Sequence, residues 1–181
     1  MMRKMLMIVL CMLLCLPALA ETAAVPASPN PEGWRYLGYT PAGVTMLIPE
    51  DTQSYSLTAA ERAAGVLFVG ANEDYTIQLR RYESDQMNLA AFRAMMTFAG
   101  AQVDSREYGG TQILCYRNPS PTGTSELFGV ALTGTDGCMY KISIFTGVDE
   151  DCSETAPVWE IAEYIAESVS IVDYSGWPME D

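Results

Sequence analysis

The sequence predicts an α+β fold, in which helices cover an antiparallel β-sheet within a single domain. Three observations predict it. Short segments of β-branched and aromatic residues recur along the chain, some with clear period-two alternation. Short turns that contain glycine, asparagine and aspartate join several of these segments into pairs, as in β-hairpins. Two other segments repeat their apolar residues every three or four positions, which is typical of helices packed on a sheet.

The first 20 residues have the three parts of a secretory signal peptide. Arg3 and Lys4 give a positive start, an apolar run follows at 5–16, and Ala18 and Ala20 are the small residues that precede a cleavage site. The apolar run is shorter than the roughly 20 residues that a membrane-spanning helix needs. We therefore expect cleavage after Ala20, export to an extracellular or periplasmic space, and no membrane span in the mature chain.

Two alternatives to a cleaved signal peptide remain. One is an uncleaved N-terminal anchor, which the short apolar run disfavours. The other is a lipoprotein modified at Cys11 or Cys15. Leucine precedes both cysteines, whereas a small residue usually precedes a lipid-modified cysteine, so we disfavour this alternative as well.

The chain after the signal peptide is predicted to contain one domain between two short flanking segments. Residues 21–33 hold three prolines among small polar residues and are expected to be an extended linker. The domain is expected to span 34–174, and 175–181 to form a C-terminal tail. Trp177 is too apolar to stay in water, so we expect it to dock on the domain, with a partner-binding tail as the alternative.

The first half of the domain is predicted to form three strands and a helix. The helix is expected at 89–99, with Asn88 as its N-cap and Gly100 after its end. Met95 and Met96 are interpreted as core residues rather than as a binding surface. The polar run at 52–62 is expected to hold at most one helical turn. The segment 34–39 opens the domain, and the strands are expected at 43–48, 65–69 and 75–82.

The second half is predicted to form two hairpins and a closing helix. The strands at 102–108 and 111–117 form the first hairpin, and the segment 125–147 forms the second, which we expect at the centre of the sheet. A helix begins near Pro157, with an apolar stripe opposed by Glu160, Glu163 and Glu167, which are interpreted as a solvated acidic face. A short extended segment at 169–172 ends the domain.

This pattern of elements resembles the PsbP-like family of secreted domains. The resemblance lies in GVTMLIPED, GVLFVG followed by TIQLRRYE, the NLAAFRAM helix, the paired hairpins, and a closing helix that runs into AESVSIV. It covers about 34–174 and implies an α/β/α sandwich. It also implies a noncatalytic binding or assembly module, and it carries no functional residues over to this chain.

The charge of the mature chain disfavours two classes of partner. Cleavage after Ala20 leaves 8 basic residues against 23 acidic ones, a net charge of −15. Nucleic acid and anionic lipid are therefore poor partners, because lysine and arginine must neutralise their phosphates. We expect a monomer that binds a protein or a small-molecule ligand.

The residue types present exclude several kinds of chemistry. Without histidine, Ser-His-Asp and Cys-His catalysis are impossible. The three cysteines of the mature chain lack a C-x-x-C pair, so we expect no zinc site, and no motif indicates a cofactor. We therefore expect no enzyme. The alternative is a small hydrolase that uses paired carboxylates, for which the sequence indicates no particular residues.

Two polar segments are candidates for ligand binding. Arg80, Arg81 and Tyr82 are predicted to form a small anion or carbohydrate site on the polar face of a strand, with a plain exposed strand as the alternative. The acidic run at 149–151, with Glu154 nearby, carries calcium-binding residue types. It lacks the alternation of a calcium loop, so we interpret it as a solvated loop before a helix.

The cysteine positions limit the possible disulfides. If the strand at 111–117 pairs with the following strand, Cys115 lies near Phe128 and Cys138 near Thr133. The two cysteines are then too far apart for a disulfide, which needs a Cα separation of roughly 4.4 to 6.8 Å. Cys152 returns past the end of the same hairpin, so any bridge is expected between Cys115 and Cys152.

Overall fold

The computed structural model describes residues 31–108, 110–118, 126–146 and 158–172. The predicted signal peptide, most of the linker, the acidic run at 149–154 and the tail at 175–181 lie outside these residues. Cys152 and Trp177 lie outside them too. The expectations for these segments therefore remain predictions.

Within the described residues, ten strands form two antiparallel sheets. The larger sheet has the order β3-β4-β5-β9-β8-β7-β6, and the smaller has the order β1-β2-β10. Because β9 is the fourth of seven strands, the predicted central hairpin is confirmed. The strands are β1 Trp34–Tyr39, β2 Val44–Pro49, β3 Gln53–Ser54, β4 Val66–Ala71, β5 Tyr75–Tyr82, β6 Gln102–Tyr108, β7 Thr111–Arg117, β8 Glu126–Thr133, β9 Met139–Thr146 and β10 Ser170–Ile171.

Three α-helices occur in the described parts of the chain: α1 Ala59–Ala63, α2 Leu89–Phe98 and α3 Val158–Ser168. The predicted N-cap of α2 is confirmed, since Asn88 Oδ1 accepts a hydrogen bond from the Ala91 N–H at 2.9 Å. Gly100 follows α2 with φ +85°, a conformation that glycine adopts without strain. The short α1 begins with a capping box formed by Thr58 and Glu61.

The main core lies between one face of the large sheet and a layer made of β2 and α3. All six residues of β2 are buried, and α3 contributes Ala162, Ile165 and Ala166. The sheet contributes alternate residues of its strands, among them Ile77 and Leu79 of β5. Burying such side chains stabilises the fold by roughly 1.5–3 kcal/mol each.

A second core lies between α2 and the opposite face of the large sheet. Phe92 of α2 is buried against Leu114 and Tyr116 of β7 and against Met139 of β9. The rings of Phe92 and Tyr116 meet edge to face, with centroids 5.3 Å apart. The large sheet thus carries one long helix on each face, and the chain is a single α+β domain, as predicted.

Two details differ from the sequence-based expectation. The first strands form a small separate sheet, because β2 is buried along its whole length and pairs with β1 and β10 instead of joining the large sheet. The predicted register of Cys115 is also wrong by two residues. Cys115 lies opposite Val130, and Arg117 lies opposite Phe128.

Candidate functional site

The three residues predicted to bind an anion or carbohydrate lie at the end of β5, on two faces of the strand. Arg80 and Tyr82 share one face, with the guanidinium carbon of Arg80 4.8 Å from the centre of the Tyr82 ring. Arg81 points to the other face, since consecutive strand side chains alternate, and it contacts Asp136 and Tyr140 there. The structure brings Arg80 and Tyr82 together and separates the Arg81 side chain from them.

Arg81 is the centre of a polar cluster that joins β5 to the turn between β8 and β9. Its Nε donates to Asp136 Oδ2 at 3.2 Å and to the Tyr140 hydroxyl at 3.1 Å, and its Nη1 pairs with Glu83. Burial alone would raise the pKa of Asp136. Hydrogen bonds from the Tyr140 hydroxyl, the Cys138 N–H and Arg81 outweigh burial and lower that pKa. A carboxyl group that stays ionised in this way has no proton to give as a general acid, and its role here is to hold neighbouring groups in place.

The two cysteines in the described residues are buried free thiols. Burial raises the pKa of Cys115 to about 12. Burial, followed by the charge of Asp136, also raises the pKa of Cys138, although the Arg81 guanidinium lies 3.0 Å from its sulfur. Both thiols therefore stay protonated near neutral pH, which makes them poor nucleophiles. The disulfide between Cys115 and Cys152 remains a prediction.

A cleft of about 500 Å³ opens where α1 turns into β4, beside the end of β5. We call it the arginine cleft and define it by Arg62, Ala64, Gly65, Arg80 and Gln86, which lie in its wall. The Nε of Arg80 donates to the Ala64 carbonyl at 2.7 Å, which fixes the guanidinium group at the wall. A volume of this size falls within the roughly 300–1,000 Å³ of typical small-molecule sites.

The basic side chains of the described residues differ in how their charge is balanced. Arg62 donates from its Nη1 to the Leu57 carbonyl, and Arg80 donates to Ala64, but neither forms an ion pair with a described residue. Four other basic side chains do form ion pairs with carboxylates: Arg81, Arg106, Arg117 and Lys141. Sequence analysis missed Arg62, which lies 18 positions before Arg80 and has no local signal.

A second ionic cluster ties α3 to the edge of the large sheet. Arg106 of β6 donates to Glu163 at 2.5 Å, and Arg117 of β7 pairs with the same carboxylate at 3.2 Å. The hydrogen bond to Glu163 raises the pKa of Arg106 further above its usual value. Arg117 also lies over the Trp159 ring, 4.1 Å from its centre. The prediction that Glu163 belongs to a solvated acidic face is therefore wrong.

One side of α2 is apolar and exposed. Phe98 is 95% exposed and Met95 is 46% exposed, and the exposed Ala91 and Ala94 complete a stripe at the spacing i, i+3, i+4, i+7. We call these four residues the apolar flank of α2. The interpretation of Met95 as a core residue is wrong, whereas Met96 does pack against the second core. The sequence contained the signal for this flank as a second apolar stripe beside Leu89, Phe92 and Met96.

The apolar flank faces away from the sheet edge. Arg93 of α2 donates to the Ser105 hydroxyl of β6 at 3.1 Å, so its side of the helix faces the edge strand. Residues two positions apart lie about 200° apart around an α-helix, which places Ala91 and Met95 on the opposite side. The exposure of Phe98 and Met95 shows that this side faces solvent.

The carboxyl groups of the described residues lie at or near the surface. The buried polar residues in these parts of the chain are Thr45, Thr52, Ser143 and Thr146, without an aspartate or glutamate among them. Asp51, Glu73 and Asp74 border an open cleft of about 450 Å³ around the tip of the β4–β5 hairpin. The described parts of the chain hold no buried pair of acids of the kind in which one carboxyl group stays protonated to act as an acid.

The described residues contain no group of three or more cysteine, aspartate or glutamate side chains placed to hold a metal ion. None of the helices in these residues has the length and hydrophobicity of a membrane-spanning helix.

Comparison with known proteins identifies the type of fold. No protein-family model and no curated protein matches the chain. The solution structure of cyanobacterial PsbP (CyanoP) from Synechocystis sp. PCC 6803 is similar, with a TM-score of 0.52 and 15% identity over 80% of this chain and 96% of that chain. A crystal structure from Bacteroides thetaiotaomicron VPI-5482 has a TM-score of 0.43 and 11% identity over 78% of this chain and 49% of that chain. The chain has a PsbP-like fold, as its sequence pattern indicated.

Proposed function

We propose that the chain is a secreted or envelope-associated, noncatalytic module that binds a partner protein through the apolar flank of α2. The observation that carries the proposal is the exposure of Phe98 and Met95 on one continuous apolar helix face. Single exposed apolar side chains are common on protein surfaces. A stripe at helical spacing is typical of a surface that receives a partner.

The charge of the molecule selects the kind of partner. A mature net charge of −15 opposes association with anionic lipid and with a second copy of the chain. The apolar flank itself carries no charge, so its contact with a partner depends on buried apolar area. We therefore propose a protein that presents an apolar contact surface with a basic rim, since opposite charge around an interface favours association.

The state of the ionisable groups supports a noncatalytic role. Asp136 and Glu163 are held by arginines that join separate elements of the fold. The thiols of Cys115 and Cys138 are buried and have raised pKa values. These groups stabilise the domain, and none is poised as an acid, base or nucleophile. The alternative function, a hydrolase that uses paired carboxylates, has no candidate residues among those described.

Site-specific photo-crosslinking tests the proposal. A photoreactive amino acid replaces Phe98 in one variant and Tyr36 in a control, because Tyr36 is also exposed, at 60%, but lies on β1. Both variants are expressed in the source cells and irradiated there. We expect a discrete protein adduct from position 98 and none from position 36. The identified protein, once purified, should bind the mature wild-type chain at equilibrium.

Three outcomes contradict the proposal. Adducts of position 98 with lipid alone would indicate a membrane-facing surface, and adducts with a second copy of the chain would indicate self-association. Equal adducts from positions 98 and 36 would show that the flank is not preferred over another exposed aromatic residue.

A further inference from the structure

We propose that the arginine cleft binds a small organic oxyanion, a molecule that carries carboxylate or phosphate groups. This site is separate from the apolar flank of α2 and does not depend on it. The proposal extends the predicted role of Arg80 and Tyr82, adds Arg62, and assigns Arg81 to a supporting position.

The distribution of charge is the first argument. The mature chain has 8 basic residues, and three of them, Arg62, Arg80 and Arg81, border this one cleft. Acidic residues outnumber basic ones almost three to one, so chance alone would supply carboxylate neighbours. Arg62 and Arg80 nevertheless form no ion pair within the described residues. Arg62 has one carboxylate neighbour, Glu61, whose pKa its charge helps to lower, whereas the charge of Arg80 is available to a ligand.

The geometry of Arg80 is the second argument. Its Nε is bound to the Ala64 carbonyl, and its guanidinium group lies against the Tyr82 ring. These contacts hold the plane of the group, while its two Nη atoms have no hydrogen-bond partner among the described residues. An arginine fixed in this way presents a fork that matches the two oxygens of a carboxylate or phosphate.

The negative groups around the cleft are already engaged. Glu83 borders the cleft, and its carboxylate pairs with Arg81. Asp136 accepts from the same arginine and from the Tyr140 hydroxyl. Arg81 therefore offsets one of the two negative charges that Glu83 and Asp136 bring to this region, and it acts as a positioning residue. The side-chain amide of Gln86 is a further polar group in the wall.

Calorimetric titration of the mature protein tests the site. Citrate and inorganic phosphate serve as separate probes, at constant ionic strength set with sodium chloride. We expect one-site, saturable binding of at least one probe. Binding of citrate alone assigns a carboxylate ligand, and binding of phosphate alone assigns a phosphate ligand. Loss of one charge-assisted arginine contact should weaken binding by about tenfold or more, so this effect is expected for Arg62→Gln and for Arg80→Gln.

Arg93→Gln is the matched control, because Arg93 is exposed and also forms no ion pair with a described residue, but lies on α2. It should bind the probes as the wild type does. Arg80→Lys keeps the charge but lacks the fork, so it should bind less tightly than the wild type.

Thermal melts check that each variant is folded, and Arg62→Gln tests the site if Arg80→Gln does not fold. The proposal would be overturned if neither probe bound saturably at concentrations up to about 10 mM, because any dissociation constant would then be weaker than the millimolar range. Equal weakening in Arg62→Gln and Arg93→Gln would overturn it as well.

Discussion

Gly129 of β8 lies directly beneath the ring of Tyr116. A Cβ atom at this position would lie 2.0 Å from the Tyr116 hydroxyl oxygen, and the tyrosine is buried and donates to Glu126. We expect Gly129→Ala to destabilise the domain by roughly 1–3 kcal/mol, because the ring has to move out of a packed core. Urea unfolding measures the change.

Gly38→Ala is the control for this substitution. Its Cβ would lie 3.6 Å from the Thr45 side chain, an ordinary contact, so its free energy of unfolding should change little. Equal losses in the two variants would show that Tyr116 does not occupy the space above Gly129.

The thiol of Cys115 predicts a pH dependence of stability. Its pKa rises from an ordinary 9.0 to about 12 in the folded chain, because the thiol is buried. Above pH 9 the unfolded chain loses this proton while the folded chain keeps it, so stability falls as pH rises towards about 12. The slope is at most about 1.4 kcal/mol per pH unit.

The comparison is made between the wild type and Cys115→Ala, both in reductant. We expect the free energy of unfolding of the wild type to fall more steeply above pH 9 than that of the variant. Buried Tyr75, whose pKa burial also raises to about 12, contributes equally to both proteins. Parallel profiles would contradict the assignment of a buried, protonated thiol.

Some residue-scale features of the site follow from sequence and others do not. The predicted site grouped Arg80, Arg81 and Tyr82 on one polar face, whereas the alternation of strand side chains puts Arg81 on the other face, as the structure shows. The partners of Arg81 do not follow from sequence, because Asp136 lies 55 positions away and reaches Arg81 only through the pairing of β5 with β9.

At the scale of single elements, the first turn of α2 depends on Asn88. Its side chain satisfies a backbone N–H that has no partner within the helix. Asn88→Ala should therefore cost about 1 kcal/mol of stability. Hydrogen exchange of the amides near Ala91 should also become faster. Ser84→Ala, at an exposed position before the helix, should change neither quantity, and a similar loss in both variants would contradict the capping role.

The helix α2 shows what periodicity predicts and what it leaves open. Its start, its end and the presence of an apolar stripe follow from spacing and capping residues. The outer stripe has the same spacing, and sequence alone does not say which stripe is inside. Burial in the fold decides between them, because the stripe with Phe92 meets Tyr116 and the stripe with Phe98 meets water.

At the scale of the whole molecule, the order of the elements predicts the fold class, because short strands in hairpins and two amphipathic helices have few ways to bury their apolar faces. The separate sheet of β1, β2 and β10 was not predictable in the same way. The apolar run of β2 fits a buried strand in either sheet, and its pairing with β10 joins segments that are far apart in the sequence. The arginine cleft was not predictable from sequence either, because residues from separate elements, such as Arg62 and Arg80, meet there only in the folded chain.

The excess of acidic residues should make stability depend on salt. Self-repulsion in a chain whose predicted mature form has a net charge of −15 is screened when ionic strength rises from about 0.01 M to about 0.1 M. We expect the thermal midpoint of the mature protein to increase over this range. The increase should be smaller for a variant with Glu160→Gln and Glu167→Gln, two exposed positions on α3. A decrease with salt would mean that attractive ion pairs dominate.

The central claim is that the apolar flank of α2 binds a partner protein, and the affinity of the mature chain for its cross-linked partner tests it most directly. We expect Phe98→Ser to weaken this affinity by at least about tenfold, the effect typical of a buried aromatic anchor at an interface. Tyr36→Ser should leave the affinity within about twofold of the wild type. An unchanged affinity in Phe98→Ser, or an equal loss in Tyr36→Ser, would contradict the claim.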